Sequence, residues 1–183
     1  MVREDDLMTA EELLVLQLPN MRSELINGRM RVRESASLDH GRMALAIGAH
    51  LYVWVAAHGG GVTVGAETGF TLRRNPDTVR APDAAFISSA RLPRGDVKGY
   101  AELTPDLIVE VLSPSDRAGE VRAKVADWLS AGARLVWVID AERARADVYR
   151  ADGTSDRIAV SGALAGEDIL PGLTLPLRPL FGA

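Results

Sequence analysis

The run Asp106-Leu107-Ile108-Val109-Glu110-Val111-Leu112 constrains the fold more than any other part of the chain. An almost unbroken apolar stretch of strand length suits a central strand covered on both faces. Ser113-Pro114-Ser115-Asp116 then turns the chain and caps a helix of about four turns. That helix buries Val121, Val125, Trp128 and Leu129 and stops at Gly132. Leu135-Val136-Trp137-Val138-Ile139 is a second buried strand. Strand, helix and strand at this spacing form a βαβ unit, expected to be parallel and right-handed. The expected class is α/β, with a central mixed sheet flanked by helices and β-hairpin additions. A length of 183 residues fits one domain over 1–183.

The flanking segments have local signatures. Thr9-Ala10-Glu11-Glu12 is a capping-box start to a short helix that Pro19 closes. Glu24-Leu25-Ile26 and Arg29-Met30-Arg31-Val32-Arg33 flank Asn27-Gly28, a two-residue hairpin turn. A longer helix begins near Ser37 or Asp39, buries Ala44, Ile47, Leu51 and Val55, and ends at Gly59-Gly60-Gly61. Val62 to Leu72 and Val79 to Ile87 read as one hairpin around Asn75-Pro76-Asp77, and 88–104 as an exposed connection. Asp152-Gly153 marks a last hairpin before a Pro-, Gly- and Leu-rich tail from Leu170 to Phe181.

Composition removes several classes of function. The chain has no cysteine, which excludes disulfides, zinc ribbons and thiol catalysis and favours a cytoplasmic setting. The acidic start, Met1 to Asp6, lacks the order of a secretory signal, and no apolar run approaches the ~18 residues of a membrane span. A net charge of −4 counts against a protein that coats nucleic acid, but not against an enzyme that touches it locally.

Glu110 is the residue that does not belong in its surroundings. An unpaired carboxylate in a buried strand costs several kcal/mol or keeps its proton, so something must meet it. Lys124 lies about 12 Å down the following helix, and Glu110 about 10 Å back down the strand, so the two side chains reach similar heights. A structural Glu110–Lys124 ion pair is one reading of this placement. Asp83 opens a second. It ends Arg80-Ala81-Pro82-Asp83 just as Ala84-Ala85-Phe86-Ile87 begins, where a simple turn is the plainer reading. The next core strand carries Glu110, however, and strands adjacent in sequence usually pair. Two carboxylates on neighbouring strands repel unless a cation lies between them, and oxygen ligands without cysteine suit Mg²⁺ or Mn²⁺.

Pro82-Asp83, followed by Glu110-Val111-Leu112-Ser113-Pro114-Ser115-Asp116-Arg117 and a helical Lys124, resembles the PD-(D/E)XK nuclease signature. More closely, the chain resembles the Uma-type restriction endonuclease family of bacteria. The likeness runs from Glu24-Leu25-Ile26-Asn27-Gly28 through Trp137-Val138-Ile139-Asp140 to Leu170-Pro171-Gly172. The resemblance implies a restriction-endonuclease-like core and a metal-dependent endonuclease acting on nucleic acid, DNA first; a homodimer is the expected assembly. It implies Asp83 and Glu110 as metal ligands, with the Val111 carbonyl as a third. Leu112 stands where the usual motif has lysine, and Lys124 matches a relocation of that lysine onto the helix. Glu24 matches an acidic position that such folds bring to the metal; read from the hairpin alone it is an exposed carboxylate.

Other polar residues are less committed. His40, near a helix N-terminus, either contacts a phosphate or, the plainer reading, is a solvated residue of the first turn; Glu67 faces either metal or solvent, and Arg29, Arg31 and Arg33 either track phosphates or are merely solvated. His50 and His58 show no ligand spacing. Two rival functions stand beside the nuclease: a nuclease-like module that binds without cutting, and a structural homodimer packed through the tail.

Overall fold

In the computed structural model, which describes residues 7–16, 22–33 and 35–182, the strand Leu107–Val111 is buried at every position inside a six-stranded sheet. In chain order the elements are α1 (Ala10–Val15), β1 (Arg22–Ile26), β2 (Arg29–Arg33), α2 (Leu38–His58), β3 (Gly61–Gly65), β4 (Phe70–Arg73), β5 (Thr78–Arg80) and β6 (Ala84–Ser88). There follow β7 (Leu107–Val111), α3 (Ala118–Ser130), β8 (Leu135–Asp140), β9 (Arg145–Arg150), β10 (Ser155–Ala159), β11 (Ala163–Ala165), β12 (Thr174–Pro176) and α4 (Arg178–Phe181). The large sheet has the order β10-β9-β8-β7-β6-β3, and a second sheet the order β2-β1-β5-β4. β7 and β8 are parallel, as a βαβ unit requires, and the other pairs are antiparallel, so the central sheet is mixed.

Pleating divides the core. Leu107, Val109 and Val111 face α2 together with Ile47, Leu51 and Trp137, while Ile108 faces α3 with Val125, Trp128 and Val136. Glu110 shares the α3 side with Ile108 by alternation. Local signals set several boundaries: Thr9 closes its capping box with Glu12, Asn27 and Gly28 take positive φ in the β1–β2 turn, and Ser37 caps α2. Pro19 lies outside the described residues.

Three expectations are corrected. The runs 62–72 and 79–87 do not form one hairpin; each splits between the two sheets, so that β3 pairs with β6 and β4 with β5. The first run breaks in the turn at Glu67, whose φ is +69°, and the second at Ala81-Pro82, where proline has no N–H for a ladder. Asp116 does not cap α3. Its carboxylate accepts from the Ser113 N–H at 2.8 Å, closing the turn on itself, and the helix starts behind Arg117 with no side-chain cap. The tail is not a spare apolar surface, because Leu170, Leu173, Leu175, Leu177 and Leu180 are buried in the core on the α2 side of the sheet.

Candidate active site

The site forms where β6 and β7 meet beneath α3. On α3, Lys124 and Trp128 are one turn apart and therefore project side by side. Lys124 Nζ lies 2.7 Å from Glu110 Oε2, and Trp128 Nε1 donates to Glu110 Oε1 at 2.8 Å. Asp83 enters from the start of the neighbouring strand. Its N–H donates to the Val109 carbonyl at 3.0 Å, and its Oδ2 accepts from the Val111 N–H at 2.8 Å. The backbone on both sides of Glu110 is thus tied to Asp83. Glu24 arrives from the second sheet: its Oε1 lies 3.1 Å from Lys124 Nζ and accepts from the Ala81 N–H at 3.1 Å. Lys124, which also donates to the Ala81 carbonyl at 3.3 Å, therefore bridges two carboxylates.

Four neighbours were not singled out as site residues from sequence. Arg80, 3% exposed, donates to Glu24 at 2.9 Å and to Asp127 at 3.0 Å. Arg22 donates to Asp83 Oδ1 at 3.3 Å. Trp128 reads as plain core in the helical pattern, yet its indole N–H is spent on Glu110. His40 is corrected outright: it is buried, not solvated, and its Nε2 lies 3.3 Å from Asp83 Oδ2. The sequence signal for Arg80 is its place immediately before Ala81-Pro82-Asp83, in the strand that pairs with β1 and so with Glu24.

Glu67 remains at the rim. It is exposed, and its Oε1 lies 3.5 Å from Arg22 Nε. The β1–β2 register sets Arg31 opposite Glu24 and Arg29 opposite Ile26, which puts these exposed arginines on the Glu24 face of the hairpin. The Arg33 side chain lies outside the described residues. His50 contacts the Thr174 carbonyl and His58 stacks on Trp54, so both rings are engaged outside the carboxylate cluster.

Charge is unevenly balanced across the site. Burial pushes the Glu24 carboxyl up, but Lys124, Arg80 and the Ala81 N–H outweigh it and hold the group down at about 2. Burial also works against ionised Asp83, yet the His40 bond, the Val111 N–H and Lys124 leave it below the usual carboxylate range. His40 rises in turn, through its bond to Asp83. Glu110 behaves oppositely: burial raises it to about 7, and the charges of Asp83 and Glu24 add to the rise against the pull of Lys124. Lys124 stays protonated despite burial because Glu110, Glu24 and Asp83 surround it.

Among the described residues, no three His, Asp or Glu side chains gather as a ready-made metal cage. Asp83 and Glu110 would supply two carboxylates to a cation, with a main-chain carbonyl beside them. These donors are hard oxygens, and the repulsion that Asp83 and Glu24 add to the effect of burial at Glu110 is the kind a divalent cation relieves. The chemistry of the donor set therefore fits Mg²⁺ or Mn²⁺.

A family model described as "Uma2: Putative restriction endonuclease" matches residues 10–178. The chain belongs to the Uma2 family. The Uma2 match spans Glu24, Asp83, Glu110 and Lys124. A solved structure of a "putative nuclease belonging to DUF820" from Anabaena variabilis ATCC 29413 has a TM-score of 0.83 to this chain at 21% identity. The match covers 95% of this chain and 97% of that one, and at such identity it establishes the fold alone. Among curated proteins none matches the chain. No helix among the described residues of this Uma2 member is long and apolar enough to cross a membrane.

Proposed function

We propose that this chain is a metal-dependent endonuclease that hydrolyses phosphodiester bonds in DNA, acting as a homodimer in the cytoplasm. One observation carries the reading: Glu24 and Glu110 share the Lys124 ammonium, and Asp83 is tied to the backbone on both sides of Glu110, so that residues from separate parts of the chain form one charged cluster. Buried like charges are costly, and keeping three of them together has a functional rationale that a packed core lacks. Mg²⁺ or Mn²⁺ held by Asp83, Glu110 and the Val111 carbonyl would lower the pKa of bound water and neutralise charge on the scissile phosphate.

The chain's own residues divide the remaining work. Lys124 replaces the lysine that Leu112 does not supply, and would hold the attacking water or stabilise charge on the phosphate oxygens. Glu24 anchors Lys124 from the opposite side, with Arg80 anchoring Glu24. His40 and Arg22 orient Asp83, while the Trp128 N–H fixes the plane of the Glu110 carboxylate. Arg31 and Arg29, on the Glu24 face of the hairpin, would meet flanking phosphates.

A nuclease-like module that binds without cutting has one observation in its favour. Both Glu110 oxygens already accept from Lys124 and Trp128, so the carboxylate is satisfied without a metal. Calorimetric titration with Mn²⁺ and plasmid cleavage in Mg²⁺, Mn²⁺ or chelator decide between the two. The nuclease cuts only with metal, and Asp83→Asn abolishes both metal binding and cutting while the fold survives. A wild-type protein that binds no Mn²⁺ and leaves plasmid intact would sink the nuclease reading.

A further inference from the structure

One of the two edge strands of the large sheet is β3, Gly61-Val62-Thr63-Val64-Gly65, and its sequence is palindromic. It pairs with β6 alone; among the described residues no strand pairs with its other edge. Protein edges are usually blunted by charge, proline or a bulge. This one has none of these.

Hydrogen-bond alternation shows which groups are free. Ser89 N–H donates to the Gly60 carbonyl, so Gly60, Val62 and Val64 direct their backbone groups toward β6, and Gly61, Thr63 and Gly65 direct theirs outward. Thr63 lies opposite Phe86, which faces α2, so its side chain shares that face. Its hydroxyl oxygen is buried without a hydrogen-bond partner. A buried hydroxyl in that state is costly and calls for an acceptor or donor.

The neighbouring helix is equally incomplete. α2 runs directly into β3 and packs on β3, β6 and β7. Its outer face carries Leu38, Leu45 and Tyr52 at seven-residue spacing, with exposures of 88%, 73% and 64%, and Val53 at 66%. The exposed Gly41, Ala49 and Ala56 lie between them. A helix that carries a stripe of large apolar side chains on its outer face normally has that face covered. Arg42 is the single Lys or Arg in α2, too little basic charge for a membrane surface or a nucleic-acid backbone.

We infer that both features meet a second copy of this chain, with two β3 edges pairing antiparallel about a two-fold axis at Thr63. The palindrome sets Gly61 opposite the partner's Gly65 and Val62 opposite the partner's Val64, and no charge faces its own image. The two Thr63 side chains then sit opposite each other, and a χ1 rotation that turns each hydroxyl from the helix side to the edge lets them pair across the strands. With strands about 4.8 Å apart, a helix centred over β3 and β6 has its mate about 10 Å away, within helix-packing distance. A five-residue edge alone falls short of the roughly 800 Å² per partner of a standard interface, and the apolar side chains of α2 extend it. This inference rests on the homodimer in the proposed function and not on whether the site cuts.

The chain has no cysteine, so Thr63→Cys introduces a single thiol. In the antiparallel pair its Cα would lie about 5.5 Å from its mate, within disulfide range. Sedimentation at micromolar concentration should find wild type dimeric. Mild oxidation should convert Thr63→Cys into a reducible covalent dimer, while Ser155→Cys on the opposite edge strand stays uncross-linked. Leu45→Glu with Tyr52→Glu, at exposed positions, should weaken the dimer by roughly tenfold or more with unchanged circular dichroism. A monomeric wild type overturns both the dimer and this interface. A dimer that neither cross-links through Thr63→Cys nor weakens with the double variant overturns the interface alone, and plasmid cleavage by the same samples judges the nuclease reading separately.

Discussion

Lys124 reaches Glu110 at 2.7 Å across the gap between α3 and β7 and is itself mostly buried. The pair cannot be treated as a surface salt bridge, because Glu24 claims the same ammonium and burial raises the stakes for all three charges. Removing Lys124 takes the shared cation from both carboxylates, whereas removing one carboxylate leaves Lys124 paired with the other, so each substitution here has its own stability signature beside a catalytic one.

For Lys124→Ala the catalytic loss should be on the order of 10²–10³-fold in plasmid cleavage, the scale of a single electrostatic stabiliser. Mn²⁺ binding should persist. The same variant should lose about 3–5 kcal/mol of stability at pH 8, where Glu110 is left as a buried charge without a cation and Glu24 keeps only Arg80. Denaturant unfolding checks this. Cleavage that survives intact would reduce Lys124 to a structural counter-ion.

Glu110 gives a pH signature with a definite sign. Its folded-state value of about 7 lies above the ordinary 4.5, so the folded state holds its proton more tightly than the unfolded one. That contribution to stability is complete below about pH 4.5 and is lost as pH rises through 7. Wild type in chelator should therefore lose stability relative to Glu110→Gln between pH 5 and pH 8, on the order of those values. His40 shifts in the same direction, but it is present in both proteins, so their difference isolates Glu110. Identical pH profiles would contradict the unbalanced charge assigned to the site. Added Mg²⁺ should favour wild type, since only it offers the ligand.

Glu24 has the opposite sign. Its folded value of about 2 lies below 4.5, so its contribution is present above pH 4.5 and disappears as pH falls toward 2. Glu24→Gln should be destabilised by about 2–4 kcal/mol at pH 7, where Lys124 and Arg80 lose a buried partner, and by much less near pH 3. Thermal unfolding at the two pH values measures the difference. Equal destabilisation at both would mean that packing, not charge, is what the carboxylate contributes.

The parts legible in the sequence are those governed by local periodicity. An apolar run marks β7, and rise per residue alone sets Lys124 at the height of Glu110. The order of strands brings Asp83 beside Glu110 because neighbours in sequence usually pair. What the sequence hides is non-local. Nothing within 62–87 says which half of each run joins which sheet, since both halves are equally apolar. His40 has the surroundings of a solvated first-turn residue until α2 docks and presses it on Asp83. Arg22 and Arg80 look like ordinary strand arginines, and Trp128 like core, because their partners lie at least 18 residues away.

His40 then becomes a test of how far Asp83 depends on being held. Its Nε2 meets Asp83 Oδ2, the oxygen that also accepts the Val111 N–H, so the imidazole fixes the carboxylate from the α2 side. Groups that orient a metal ligand are typically worth 10–100-fold in affinity. His40→Leu keeps the bulk of the side chain and removes the donor, and should weaken Mn²⁺ binding within that range while the circular dichroism spectrum is retained. His40→Gln, which can restore an N–H toward Asp83, should recover part of the affinity. The competing expectation is that His40 obstructs the site by occupying an Asp83 oxygen a metal needs. In that case His40→Leu would tighten Mn²⁺, and the sign of the change in the titration separates an orienting histidine from an obstructing one.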